Sequence, residues 1–309
     1  MQQLLFIITD ISLPILILIA LGFGFQKLFK TDLKVLPRLL IYLILPATVF
    51  VKIMDADITW GLFGRITAYV ALLMALMYAV GLGLSFILKY AKGRRNALTN
   101  AMMFTNSGNY GLPLIELTFG ANPLTAATQL IVVILNNILR STIGVFSATT
   151  GGGSAARHAL KNIAKMPTLY AIALAFILKA LGAYPPEPIM IPLHRIAQTF
   201  IALALIALGM QLSQVKLNKG LGSIAAASLL RVLISPAIGF GLVLLLGIDG
   251  ILAQALIIGA AGPVAVNTVH VACEFDNEPE FAAEMVLVTT LLVTFTMPLV
   301  IWFVQGYFQ

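Results

Sequence analysis

Charge is scarce in this sequence. Asp, Glu, Lys and Arg make up only 10% of its 309 residues, against roughly a quarter in soluble domains, and with a mean hydropathy of +0.99 this excludes a water-soluble globular protein. A single cysteine, Cys273, excludes an internal disulfide framework and a cysteine-based metal cluster. No basic stretch opens residues 1–20 and the apolar run continues past Phe25, so the first helix reads as retained and not as a cleaved signal peptide. A nucleotide-binding loop and an aspartate-rich metal motif are also missing. What is present is apolar text, 60% of the chain. At about 20 residues per bilayer-spanning helix, it leaves no room for a sizeable soluble domain. The expected class is an all-α, integral, multi-pass membrane protein in contact with the lipid bilayer.

Ten apolar segments stand out, at about 4–25, 36–53, 62–88, 97–119, 124–146, 167–181, 189–212, 217–246, 251–271 and 281–303; the sixth is short for a span. The basic residues explain the net charge of +7 as a topology signal. Fourteen of the 19 follow segments 1, 3 and 7 or lie after or late in segment 5: Lys27, Lys30, Lys34, Arg38, Lys89, Lys92, Arg94, Arg95, Arg140, Arg157, Lys161, Lys165, Lys216 and Lys219. The positive-inside rule puts those loops in the cytoplasm and both termini on the extracytoplasmic side of the cell (inner) membrane. No nucleic-acid partner is expected. An acidic turn around Glu274 to Glu284 falls on the same side, a weak objection because acids contribute little to the rule.

An odd number of spans on each side of a central linker is what an inverted repeat requires. The linker is visible at 149–166, where Gly151-Gly152-Gly153-Ser154 interrupts the apolar text. This divides the chain into a first five-helix repeat, 1–148, and a second, 167–309. Asn122-Pro123-Leu124-Thr125-Ala126-Ala127 and Glu278-Pro279-Glu280-Phe281-Ala282-Ala283 share Pro and Ala-Ala, and each precedes the last segment of its half.

Segment 4 contains Thr105-Asn106-Ser107-Gly108-Asn109-Tyr110-Gly111-Leu112-Pro113, a polar stretch in the middle of an apolar span. Two glycines and a proline within six residues predict unwinding, and unwound backbone at membrane depth survives only inside protein or against a water-filled cavity. Pro113 suits the first turn of a second half-helix. The amides of that half-helix, with Asn106, Ser107 and Asn109 as side-chain donors, would form an anion site without a fixed cation. Segment 9 supplies a counterpart in Gly259, Gly262-Pro263 and Asn267-Thr268. Two broken helices crossing near the midplane would set two half-helix ends around one cavity; a pair of kinked helices packed through small residues is the other reading.

These residues resemble the auxin efflux carrier family of transporters. The resemblance rests on Asn106-Ser107-Gly108-Asn109-Tyr110-Gly111-Leu112-Pro113, the Pro46 region, the broken ninth segment and the stretch from Thr289-Thr290 to Pro298, and it extends over essentially the whole chain. Its members include plant auxin carriers and bacterial permeases assigned to malonate, malate and related carboxylates. The resemblance implies ten transmembrane helices in two inverted five-helix repeats, as in bile acid/sodium symporters, with helices 4 and 9 crossing. Segments 1, 2, 6 and 7 would form a scaffold through which a homodimer assembles, and segments 3–5 and 8–10 an elevator-like transport domain. The polar breaks make Asn106, Ser107, Asn109, Tyr110, Asn267 and Thr268 the expected binding site, and the resemblance carries the family's crossover asparagine over to Asn109 and its crossover prolines to Pro113 and Pro263. The breaks at Gly108, Gly111, Pro113, Gly262 and Pro263 would be held open. The short central loop favours a bacterial-type member.

Ionisable residues within spans are functional candidates. Glu116 and His270 each follow a break and are paired by the same offset that relates Gly108 to Gly262. Either they take up a coupled proton, or Glu116 reaches the outer interface and His270 satisfies a backbone carbonyl. Arg231 could snorkel, pair with an acid or attract anions. Sodium coupling stays open, since serine, asparagine and carbonyl oxygens ligate Na⁺; Gln254 in place of an acid before the ninth break weakens that reading. The expected function is secondary active transport of a small organic carboxylate anion, bound at the helix 4/9 crossover. No cofactor or metal is expected beyond a coupling H⁺ or Na⁺, and no enzymatic activity. The alternatives are an indole-type auxin acid as substrate, a sodium-coupled organic anion symporter, a channel, and, distantly, an intramembrane hydrolase using Ser107 and His270.

Overall fold

The structure is a computed structural model that describes residues 2–56, 59–120, 122–140, 164–215, 222–274 and 277–308. The expected linker, apart from residues 164–166, lies outside the described residues, as do Arg157, Lys161, Lys216 and Lys219. Regular structure among the described residues is helical, with one isolated bridge pair and no strand. The helices are α1 (Gln2–Phe29), α2 (Val35–Asp55), α3 (Trp60–Ile87), α4 (Lys92–Met103), α5 (Leu112–Phe119), α6 (Pro123–Leu139), α7 (Pro167–Ala180), α8 (Glu187–Leu212), α9 (Gly222–Leu245), α10 (Gly250–Ala260), α11 (Asn267–Glu274) and α12 (Pro279–Tyr307). Six are long and apolar enough to cross a bilayer: α1, α2, α3, α8, α9 and α12; α6, α7 and α10 are shorter apolar helices. Segments 4 and 9 are each divided, into α4 with α5 and α10 with α11.

Proline sets the local form of several helices. Ile7–Ser12, Leu40–Ile44 and Ser107–Gly111 are π-helical turns, and each is followed by a Leu-Pro pair, ending in Pro14, Pro46 and Pro113. Proline lacks an N–H, and its ring crowds the carbonyl four residues back. Widening the preceding turn to π relieves that contact and lets the helix resume.

The outer face is apolar and unpaired by protein. Leu28 is 79% exposed, Ile87 77% and Phe295 77%, a pattern suited to lipid and not to water. Between helices, packing is closest where α1 meets α8. A Cβ on Gly22 would run into the Ile206 carbonyl, and one on Gly209 into the Ile19 carbonyl. Backbone thus lies against backbone, the way small residues bring membrane helices together. The end of α2 is held from α7: the Lys179 ammonium donates to the carbonyls of Ile53, Met54 and Ala56, a favourable position for a cation.

Candidate functional site

Helix α4 stops at Met103 because Phe104 is extended, with φ −97° and ψ 113°. The chain stays out of helix through Asn106 (φ −74°, ψ 60°) before the π turn at Ser107 begins α5. Opposite it, α10 ends at Ala260 and the chain unwinds to Asn267, where α11 starts. The two unwound stretches run against each other as an antiparallel bridge at Thr105 and Val264. Asn106 N–H donates to the Pro263 carbonyl at 2.8 Å, and Ala265 N–H donates to the Phe104 carbonyl at 2.9 Å. Val264 N–H donates to Thr289 Oγ1 of α12 at 3.1 Å. Freed backbone groups are therefore paired inside the protein, as a low-dielectric setting demands.

Two polar side chains fasten this crossing: Arg231, expected as a residue that could snorkel, pair with an acid or attract anions, and Gln129, which no expectation named. Arg231 of α9 is fully buried. Its Nε donates to Ala101 O at 2.9 Å, its Nη1 to Gly262 O at 2.7 Å and its Nη2 to Thr105 Oγ1 at 3.0 Å. One planar guanidinium thus holds carbonyls from the ends of α4 and α10 together, a geometry that suits arginine and not lysine. Among the described residues it has no carboxylate partner. Gln129 of α6 is the second: its Nε2 donates to Ser107 O at 2.9 Å. A Cβ on Gly259 would sit 2.7 Å from Gln129 Oε1, and one on Gly111 would sit 2.5 Å from its Nε2. A side chain at either glycine would displace the Gln129 amide from this position.

A cavity of about 220 Å³ opens in front of the crossover. Asn106, Ser107, Gly108, Asn109, Asn267 and His270 all line it, so the structure brings six of the expected residues together. The cavity is smaller than the roughly 300–1,000 Å³ of usual ligand pockets. Its apolar wall includes Leu40, Ile41, Leu45, Val133, Ile134 and Phe200. Asn106 is 6% exposed and its Nδ2 has no hydrogen-bond partner. The amides of Gly108, Asn109, Val266 and Asn267 likewise find no carbonyl among the described residues. All four of these residues, at the starts of the two half-helices, line the one cavity.

The other expected residues lie elsewhere. Tyr110 is buried in the apolar core. The Thr268 hydroxyl donates to Ala265 O at 2.7 Å. Gly111 and Pro113 are buried where α5 begins, while Gly262 and Pro263 give their carbonyls to Arg231 and Asn106. Glu116 forms an ion pair with Lys52 of α2 at 3.0 Å and does not line the cavity that His270 lines. The shared offset does not make the two residues neighbours. No hydrogen bond joins Ser107 to His270 among the described residues. The expectation of a site lacking a fixed cation is corrected by Arg140, whose side chain lines the cavity at the end of α6. Its place in the sequence, just past an apolar run, had the signature of a loop charge.

The family model described as "Membrane transport protein" matches residues 6–159 and 153–301. An uncharacterised transporter of Methanocaldococcus jannaschii is 27% identical over 293 residues, covering 91% of this chain and 94% of its own. An uncharacterised transporter of Methanothermobacter thermautotrophicus is 24% identical over 301 residues, covering 94% of this chain and 96% of its own. With matches along nearly its whole length, on a helical fold whose broken helices meet at a polar cavity, the chain belongs to the auxin efflux carrier family of membrane transport proteins.

Proposed function

We propose that this membrane transport protein is a secondary transporter for a small organic carboxylate anion, held at the crossover between α4/α5 and α10/α11. The observation that carries this reading is the Asn106 Nδ2, a buried donor without a protein partner among the described residues, at a cavity also lined by residues of two half-helix N-termini whose amides find no carbonyl there. Leaving a buried donor unmade costs about 1–3 kcal/mol, and an anion at that point removes the cost. The neutral donors Ser107 and Asn109 complete the set.

In this reading the chain crosses the membrane ten times, as two inverted five-helix repeats, with both termini extracytoplasmic. The unit α3–α6 with α9–α12 moves against α1, α2, α7 and α8. The close glycine contact of α1 with α8 supports a stiff scaffold, and a homodimer would assemble through it. Coupling to H⁺ or Na⁺ would act through the cavity, where His270 stands and Glu116 does not. The test is calorimetric binding of carboxylates to purified Asn109→Ala and Asn106→Ala variants that retain the parent's elution profile. A loss of roughly tenfold or more is expected from one charge-assisted hydrogen bond. Unaltered affinity in both would refute the placement.

A further inference from the structure

Helix α6 turns Val133, Asn137 and Arg140 to the cavity, positions spaced four and then three residues apart and hence on one helical face. Val133 marks the level of the crossover: a Cβ on Gly108 would lie 3.8 Å from its Cγ1. Arg140 is seven residues further on, about 10 Å along the helix at 1.5 Å per residue. Its Nη2 donates to Asn137 Oδ1 at 2.6 Å, which fixes one edge of the guanidinium. His270 of α11 lines the same cavity, within reach of the arginine's charge. No Asp or Glu lines the cavity among the described residues, and the sequence from 141 to 163 contains none. Arginine does not shed its proton in proteins. Among the described residues this confined cation therefore has no carboxylate counter-ion.

We propose that Arg140, steadied by Asn137 and flanked by His270, is a second anion subsite at the end of the cavity away from the crossover, and that it is the residue by which this protein distinguishes an anion charged at both ends from one charged at a single end. The inference rests on the crossover reading for its first end. The apolar part of the cavity lining, which includes Val133, Ile134 and Phe200, suits a short hydrocarbon linker. The guanidinium's fork geometry suits a carboxylate accepting two hydrogen bonds.

The experiment is calorimetric binding of straight-chain α,ω-dicarboxylates of three to six carbons, each beside its monoamide, to the purified full chain. The parent is expected to prefer at least one dianion over its monoamide by roughly tenfold or more. Arg140→Gln is expected to abolish that preference while leaving monoamide affinity within about threefold, with Arg140→Lys intermediate. Asn109→Ala is expected to weaken both ligands alike. An unchanged dianion preference in Arg140→Gln, or no preference in the parent, overturns the subsite. Asn109→Ala without effect on either ligand overturns the crossover reading instead, and failure of every probe to bind the parent overturns both. Repeating the titrations with anionic lipid separates a lipid headgroup from a free anion. If added phosphatidylglycerol competes with the dianion in the parent and not in Arg140→Gln, the arginine belongs to lipid and the proposal falls.

Discussion

Replacing Arg231 by methionine keeps much of the side-chain length and removes all three donors. The guanidinium's hydrogen bonds to Ala101 O, Gly262 O and Thr105 Oγ1 are 2.9, 2.7 and 3.0 Å long. Bonds to a charged group contribute about 1.5–3 kcal/mol each, so three would sum to roughly 5–9 kcal/mol. Removing a fully buried charge recovers several kcal/mol of desolvation. Interhelical hydrogen bonds measured in membrane proteins average about 0.6 kcal/mol, which sets a floor near 2 kcal/mol for three. A net loss of about 2–5 kcal/mol follows, and at roughly 2–4 °C per kcal/mol the melting temperature should fall by about 5–15 °C. The assay is thermal unfolding in detergent, read by loss of the monodisperse elution peak after heating. Arg231→Lys should fall between, because one ammonium cannot serve three acceptors set to a planar fork. Arg231→Met melting within about 2 °C of the parent would refute the role given to this residue.

The Lys52–Glu116 ion pair links α2 to α5 at 3.0 Å, about 10 Å beyond the cavity-lining Leu45 along α2. If α5 moves against α2, Glu116→Gln should speed exchange of the carrier roughly two- to fivefold, in keeping with about 0.5–1 kcal/mol for a partly exposed pair. The pH dependence of transport should not change, and a shifted pH profile in reconstituted vesicles would instead make Glu116 a coupling group. Cys273 is exposed on α11 and is the chain's one cysteine. A membrane-impermeant maleimide should label it in inside-out vesicles and not in intact cells; the reverse pattern would invert the proposed orientation.

Helix positions were legible because each long apolar run has its own length, and the two breaks were legible because glycine and proline write them directly into Gly108-Asn109-Tyr110-Gly111-Leu112-Pro113 and Gly262-Pro263. Partnerships across the chain were not. Arg231 meets Ala101 from 130 positions away, and no periodicity encodes that contact. Gln129 reads as one polar residue in an apolar helix, yet it lies against Gly111, Gly259 and Ser107. Lys52 stands at the end of an apolar segment with no acid near it in sequence before Asp55, yet the fold pairs it with Glu116, 64 positions away. Arg140 was counted as a loop charge because the positive-inside rule sorts by distance from an apolar run and is blind to the face of the helix from which a side chain leaves.

The electrostatics of the crossing bear on the anion site proposed at the neutral Asn-Ser-Gly-Asn stretch. Four helix ends meet there: α4 and α10 arrive by their C-termini, and α5 and α11 leave by their N-termini. Each end carries about half a unit charge, negative at C-termini and positive at N-termini, so a symmetrical crossing would nearly cancel. Arg231 breaks the balance. Its guanidinium donates to Ala101 O and Gly262 O, and so neutralises the carbonyl ends from the buried side. The amide ends, at the cavity-lining residues Gly108, Asn109, Val266 and Asn267, find no carbonyl among the described residues. The buried cation therefore does not need to touch an anion to favour one. Its removal should lower anion affinity as well as stability, even where the cavity lining is untouched.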